Sequence, residues 1–299
     1  MVKRYFFIIN PRSGKGISTK IWNQLKEILI DKKIELNFSF TEFEKHAIEL
    51  SAIACINNDV IIAIGGDGTI HEVANGIINS KLNRELGMIP VGTGNDFASS
   101  HGVPIKLNEQ LDLILSDKTK VQDVIEIQHT SRKLYCISMF GAGLDASIAQ
   151  KANEKKKIKG GGKSIYISSA LQSVFKYKPI KLSFEIDDKL NEVDILTLAV
   201  GIHKRNGGGI IQCPDAICDD GYMNLSIIKP LTFIDVLTIL PKLYSGKIYS
   251  HKKTQHQISK QIMLNNENIL SEADGETVGK GNVKLTLVSK AIEVKSNLL

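Results

Sequence analysis

The chain has 299 residues, 42% of them hydrophobic and 23% charged, enough apolar content for a sizeable core and too much for a disordered chain. Basic residues exceed acidic ones by 38 − 32 = 6. That mild excess suits an anionic partner, but without a basic-aromatic ladder it falls short of a nucleic-acid binder. Cys55, Cys136, Cys213 and Cys218 show no zinc-like or disulfide-framework spacing and read as reduced thiols. No run of about 18 apolar residues and no signal-peptide pattern occurs, which predicts a cytoplasmic protein whose membrane contact is peripheral.

From the start, short strand-like and helix-like segments alternate. Arg4 to Ile9 reads as a strand, Ser18 to Lys32 as a helix, Ile34 to Thr41 as a strand and Ala47 to Ile56 as a helix. Val60 to Ile64, Ile70 to Asn79 and Leu86 to Pro90 continue the rhythm. This alternation predicts an α/β domain with a parallel sheet, in which ligands sit beyond the carboxyl ends of the strands. Three polar clusters fall at those ends: Asn10-Pro11-Arg12-Ser13-Gly14-Lys15-Gly16, then Gly65-Gly66-Asp67-Gly68-Thr69, then Gly92-Thr93-Gly94-Asn95-Asp96-Phe97.

Past Val121 the pattern changes. Val121 to Ile127, Leu134 to Phe140, Ile180 to Ile186, Ile195 to Ile202, Tyr222 to Ile228, Gln257 to Leu264 and Val283 to Val288 read as strands. Lys163 to Phe175 and Thr232 to Tyr244 have helical spacing. A mostly antiparallel β domain is expected. The boundaries are a nucleotide-binding domain over 1–124, a β-rich substrate domain over 125–288, and a closing segment, 289–299, returning to the first domain.

An aliphatic strand running into consecutive glycines lets a phosphate approach bare backbone N–H groups. In that loop Asp67 offers a carboxylate to magnesium and Thr69 a hydroxyl at the helix start. Neither GxGxxG after the first strand nor GxxxxGK[ST] occurs, which argues against a dinucleotide-binding dehydrogenase and excludes a P-loop. Asn10 to Gly16 serves equally well as a phosphate or ribose loop or as a proline-glycine turn. Its neighbour at Gly92 to Phe97 lies at an adjacent strand end, so two glycine loops with one carboxylate each predict a shared magnesium-nucleotide site. Asp123 sits in the apolar strand VQDVIEI, where an unpartnered carboxylate is costly, so a metal-linked or hydrogen-bonded role is expected.

NPRSGKG, GGDGT with EVANG, and GTGNDFA, in this order and spacing, resemble the diacylglycerol kinase and sphingosine kinase catalytic family. Gly207-Gly208-Gly209, the segment Pro214 to Tyr222 (PDAICDDGY) and Asp274-Gly275-Glu276 extend the resemblance to residue 276, nearest to the soluble bacterial lipid kinases. The resemblance implies an ATP- and magnesium-dependent transfer of the γ-phosphate to a lipid hydroxyl, most simply diacylglycerol to phosphatidic acid, in a cleft between the domains. It implies ATP contacts at Asn10, Pro11, Arg12, Ser13, Gly14, Thr41, Gly65, Gly66, Asp67, Gly68, Thr69, Ile70, His71 and Thr93. It places catalytic magnesium near Asp67, Asp96 and Asp123, a structural magnesium at Asp220 with the carbonyls of Ile217 and Tyr222, and the catalytic base at Glu276. Lys15 is a candidate phosphate counter-charge.

The residues alone leave alternatives. Asp274-Gly275 can simply turn a hairpin beside an exposed Glu276. Six lysines at 151, 155, 156, 157, 159 and 163 form either a solvated run or a dock for anionic membrane. A kinase of a soluble acceptor, such as an NAD kinase, shares GGDG, and a non-catalytic nucleotide-binding membrane module is the third reading. A lipid at the membrane surface and ATP are the expected partners, nucleic acid is not, and a homodimer is compatible with the sequence.

Overall fold

Four short strands build the first sheet, the first three rich in β-branched or aromatic residues: β1 (Tyr5–Ile9), β2 (Asn37–Phe40), β3 (Val60–Gly65) and β4 (Glu85–Pro90). In this computed structural model, which describes residues 3–92, 94–130, 132–159, 176–186, 188–207 and 209–298, they lie parallel in the order β2-β1-β3-β4. Among the described residues, 155–159 are described by backbone alone. The expected helix over Lys163 to Phe175, together with Thr93, Gly208 and the lysine side chains from 155 to 163, lies outside what is described.

The chain divides into two units, Met1–Gln122 with Lys290–Leu299, and Asp123–Ser289. In the first, α1 (Ile17–Asp31) presents Trp22, Leu25 and Leu29 at helical spacing, and these bury against Phe7, Ile9, Ile62 and Ile64 of the sheet. Phe7 and Trp22 meet with ring centroids 5.2 Å apart. α2 (His46–Ala54) packs on α3 (Asp67–Ser80), and α3 packs on β3 and β4. Covered on both faces, β3 is buried at every residue, as an interior parallel strand must be. Its register sets Ile9 beside Ile64 and Gly65 beside Pro90, so the strand exits are aligned. Two further helices complete this part, α4 (Asp96–Ser100) and α5 (Leu107–Leu115).

The chain's last strand, Val283–Lys295, contributes to both units. Its end pairs in parallel with β4, Glu293 beside Glu85 and Val294 beside Leu86. Lys295 is 1% exposed, lies 2.7 Å from Glu85 and donates to the Ser116 carbonyl. Beyond it, the Asn297 N–H donates to the His101 carbonyl at 3.0 Å.

The second unit is a sandwich of antiparallel strands. One sheet runs Thr254–Ser259, Met223–Ile228, Thr197–Gly201, Met139–Gly143, Leu270–Ala273 and Glu276–Lys280. Facing it, Gln261–Asn265 pairs with Ile180–Ile186 on one side and Val283–Lys295 on the other, and Lys189–Ile195 flanks Ile180–Ile186. Phe140, Leu198 and Leu225 from the first layer share one core with Leu182, Phe184, Ile262 and Leu285 from the second. Helices α6 (Leu144–Lys159) and α7 (Phe233–Ser245) also belong to this unit.

Several expected elements are redrawn. α3 begins at Asp67 rather than Ile70, so the glycine loop is itself the helix start. The expected strand Leu134 to Phe140 is two strands, Arg132–Cys136 and Met139–Gly143. Gln257 to Leu264 also divides, at Lys260, because its halves belong to different layers. Leu144–Lys159 is a helix where only a lysine-rich stretch was expected, and the last strand runs seven residues beyond Val288 to Lys295.

Candidate active site

β3 ends at Gly65, and there the backbone is forced into close quarters. A Cβ on Gly65 would sit 2.5 Å from the Thr69 Oγ1, so only glycine lets α3 turn back this tightly over the strand. Thr69 in turn accepts a hydrogen bond from the Asn10 Nδ2 at 2.9 Å, joining the exit of β1 to the exit of β3. Asn10 also accepts at its Oδ1 from the Arg12 N–H at 3.0 Å, and Ser13 Oγ accepts from the Gly66 N–H at 3.4 Å. Gly14, Lys15 and Gly16 have successive φ values of 58°, 55° and 90°. A Cβ on Gly14 would strike the Val91 side chain at 2.8 Å, and Lys15 holds a left-handed conformation with its side chain exposed. Thr41 closes the row, its N–H donating to Ile9 at 2.9 Å.

The third loop is stitched to the second. The Asn95 N–H donates to Asp67 Oδ2 at 2.9 Å and the Asn95 Nδ2 to the Gly92 carbonyl at 3.0 Å. A Cβ on Gly92 would lie 3.1 Å from the Gly66 Cα, so the two glycine backbones nearly touch. Asp67 and Asp96 occupy the first turns of α3 and α4, where helix dipoles favour negative charge. A Cβ placed on Gly94 would meet Asp67 Oδ2 at 3.0 Å and Asp96 Oδ2 at 3.7 Å. Glycine therefore spares the Asp67 carboxylate a tight contact at a point that the Asp96 carboxylate also borders. Hard carboxylate oxygens around such a point suit magnesium. Among the described residues no three His, Cys, Asp or Glu side chains gather to hold a metal, so such an ion would draw on water and substrate oxygens as well.

Ile70 and His71 have buried side chains on α3, and His71 Nε2 lies 3.3 Å from Asn75 Nδ2. Asp123 belongs to the second unit and is 1% exposed. Its Oδ2 accepts from the Gly221 N–H at 2.9 Å, and its own N–H donates to the Cys218 carbonyl at 2.7 Å. The structure thus joins Asp123 to the turn that carries Ile217, Asp220 and Tyr222. Within that turn Asp220 Oδ1 accepts from the Tyr222 N–H at 2.9 Å, and Ile217, Asp220 and Tyr222 are exposed.

Glu276 opens the strand Glu276–Lys280 and is exposed. Asp274 and Gly275 precede it with φ of 50° and 86°, the positive pair of a tight hairpin turn. The Asp274 carboxylate accepts from the N–H groups of Ile137, Ser138 and Met139 at 2.8, 2.9 and 3.0 Å. That clamp is what breaks the expected strand from 134 to 140.

Beside this turn lies a pair that sequence reasoning passed over. Glu272 and Asp145 line a cavity of about 50 Å³ with Asn206, Gln212 and Gly275. Glu272 is 2% exposed, and burial, with the Asp145 and Asp274 carboxyls adding to it, pushes its pKa up to about 8 against the opposing Gly275 N–H bond of 2.7 Å. Burial also raises Asp145, whose Oδ2 accepts from Gln212 Nε2 at 2.5 Å. Gly141 makes room, since a Cβ there would lie 2.5 Å from Glu272 Oε1. The available signal was a lone acid inside the apolar stretch before Asp274; its partner lies 127 positions away and leaves no local mark.

Residues 4–127 match the diacylglycerol kinase catalytic domain, and residues 138–296 match the YegS C-terminal NAD kinase beta sandwich-like domain. A diacylglycerol kinase of Staphylococcus aureus (strain bovine RF122 / ET3-1) is 28% identical, over 98% of this chain and 92% of the relative. One from Staphylococcus saprophyticus subsp. saprophyticus is 29% identical, over 94% and 91%. A solved structure from Bacillus anthracis str. Sterne superposes with a TM-score of 0.80 at 22% identity, covering 99% of this chain and 96% of the other. A diacylglycerol kinase structure from that organism gives 0.70 at 21%, covering 99% and 97%. With both units matched, the chain belongs to the diacylglycerol kinase catalytic-domain family carrying the YegS-type C-terminal domain, and it is by class a kinase, a phosphotransferase.

Proposed function

We propose that the chain transfers the γ-phosphate of ATP to a lipid hydroxyl, with diacylglycerol as acceptor and phosphatidic acid as product. One observation carries this reading: two glycine loops at adjacent parallel-strand exits bring Asp67 Oδ2 and Asp96 Oδ2 within 3.0 and 3.7 Å of the position a Cβ on Gly94 would take. The lipid acceptor is supported by relatives named diacylglycerol kinase that align with 94% and 98% of the chain. Asp67 and Asp96 would hold magnesium, which when bound supplies charge neutralisation at the phosphates.

The chain's own residues account for the rest. The N–H groups at the start of α3 point along the helix axis toward an anion, and the Asn10–Thr69 bond fixes the loop that presents them. Arg12 and Lys15, both exposed on the first loop, add positive charge beside the phosphates. Contacts with bound ATP are assigned to Asn10 through Gly14, Thr41, Gly65 through His71, and Thr93. Glu276 takes the acceptor's hydroxyl proton while that oxygen bonds to the γ-phosphorus and the bond to the β-phosphate oxygen breaks, releasing ADP. Asp220 with the carbonyls of Ile217 and Tyr222 would hold a second magnesium, and Asp123 braces their turn through Gly221 and Cys218.

Glu276→Gln preserves shape and removes the base, so lipid phosphorylation should fall roughly 10²- to 10⁴-fold while ATP still binds. An unchanged rate would return Glu276 to a plain turn residue. A parallel assay with NAD as acceptor belongs in the same experiment, because the C-terminal domain shares its sandwich with NAD kinase; phosphorylation of NAD and not of lipid would replace the acceptor. For the second site, magnesium should raise the melting temperature of wild type and not of Asp220→Ala. Equal responses would remove the metal from that turn.

A further inference from the structure

Glu276 follows directly on a two-residue turn, and the second residue of that turn has nothing to lean on. Gly275 sits at φ 86°, and a Cβ placed on it would meet no heavy atom within 4 Å beyond its chain neighbours. A glycine in open space turns its peptide groups at little cost, since neither a side chain nor packing resists the rotation. Two side chains hold it instead, one on each peptide group. The Gly275 N–H donates to Glu272 Oε2 at 2.7 Å, and the Gly275 carbonyl accepts from Asn153 Nδ2 at 2.9 Å. The second bond acts on the very peptide that joins Gly275 to Glu276, so what fixes Gly275 also aims Glu276. Asp274 is fixed separately, by the N–H groups of Ile137, Ser138 and Met139, and the ladder sets Ala273 beside Glu276. The hairpin therefore stands without the two bonds at Gly275, and those bonds are left to orient its tip.

Spacing explains why α6 supplies the amide. Asp145, Ala149 and Asn153 recur every four residues, which places them on one side of the helix within an arc of about 80°. Asp145 and Ala149 line the cavity that Glu272 and Gly275 also border, and α6 packs on the strands Leu270–Ala273 and Glu276–Lys280 that flank the turn. One helix face thus reaches both the carboxyl that holds the Gly275 N–H and the carbonyl on its other side. Glu272 suits its part because burial favours its neutral form, whose oxygen still accepts from Gly275 without setting a full charge in the sandwich.

We infer that Asn153 and Glu272 are positioning residues for Glu276, fixing the two peptide groups of Gly275 so that the base is aimed at the acceptor hydroxyl; this rests on the lipid-kinase reading, in which Glu276 is the base. The test measures kcat and KM on a short-chain diacylglycerol for the full chain and its variants. Asn153→Ala removes the donor, Asn153→Asp keeps its shape but turns an oxygen toward the Gly275 carbonyl, and Glu272→Met removes the acceptor at similar length. Each should lower kcat about tenfold or more with the KM for ATP unchanged, whereas Glu272→Gln, which still accepts from Gly275, should stay near wild type. In a Glu276→Gln background Asn153→Ala should cost nothing further, because it acts through the group already removed. Amide hydrogen exchange over residues 273–277 should quicken in Asn153→Ala and Glu272→Met and stay unchanged elsewhere. Equal rates for wild type and Asn153→Ala, the same fold loss with and without Glu276, or unaltered exchange at the turn would each overturn the inference. Quickened exchange in the variants of a chain whose wild type phosphorylates no lipid would leave the pinned turn standing and remove the lipid-kinase reading.

Discussion

At Glu272 and Asp145 two carboxyl groups border one small cavity, and burial holds both above the usual carboxylate range. The consequence for stability has a definite sign. Glu272 ionises near 4.5 when unfolded and near 8 when folded, so its protonated form is favoured by folding. The stabilisation is complete below the unfolded value and is lost as pH rises through the folded one. Wild type should therefore lose melting temperature between about pH 5 and pH 8, whereas Glu272→Gln, which keeps the neutral shape, should give a flatter curve. Parallel curves would show that Glu272 does not carry the titration. Gly141, opposite this carboxyl, and Gly94, beside Asp67 and Asp96, teach a related point. A Cβ on Gly141 would collide with Glu272 at 2.5 Å and one on Gly94 would crowd Asp67 at 3.0 Å, and neither distant acid is visible from neighbouring residues.

Among elements, the hairpin before Glu276 depends on Asp274. Its carboxylate collects three consecutive backbone N–H groups from a segment more than 130 positions earlier. In Asp274→Asn the positive φ remains tolerable, but an amide N–H₂ must now face a backbone donor. Stability should drop by about 1–3 kcal/mol, read from urea unfolding, and lipid phosphorylation should fall with it because the turn presenting Glu276 loosens. An unchanged unfolding midpoint would mean that the clamp is dispensable. The same contact explains a limit of local reading. Residues 134–140 alternate as one strand does, and only the distant carboxylate divides them. Lys260 divides 257–264 for another nonlocal reason, the exchange of one layer for the other. α6 was hidden because its lysine-rich sequence has little helical apolar rhythm. By contrast β1, β3, β4 and α1 were legible, since burial leaves the strands as mostly apolar runs, β3 buried throughout, and α1 carries a regular apolar stripe.

For the whole molecule, chain order and function are read from different features. The first unit supplies parallel-strand exits with glycine loops, the second an antiparallel sandwich with a hairpin acid, and the last strand returns the chain to β4. The glycine loops were legible because their chemistry is local: a strand, a tight turn, a carboxylate. The acid pair at Glu272 and the Asn153 bond to Gly275 were not, because each joins residues that folding alone brings together.

The lipid-kinase reading is tested most directly by following γ-³²P from ATP into diacylglycerol in mixed micelles, for wild type and for Gly94→Ala. The added methyl group would sit 3.0 Å from Asp67 Oδ2 and 3.7 Å from Asp96 Oδ2, crowding the first without demanding a left-handed backbone. Wild type should yield labelled phosphatidic acid, and Gly94→Ala should yield it at least about 10²-fold more slowly with an unchanged melting temperature. No labelled lipid from wild type, or the same rate from both proteins, would contradict the assignment.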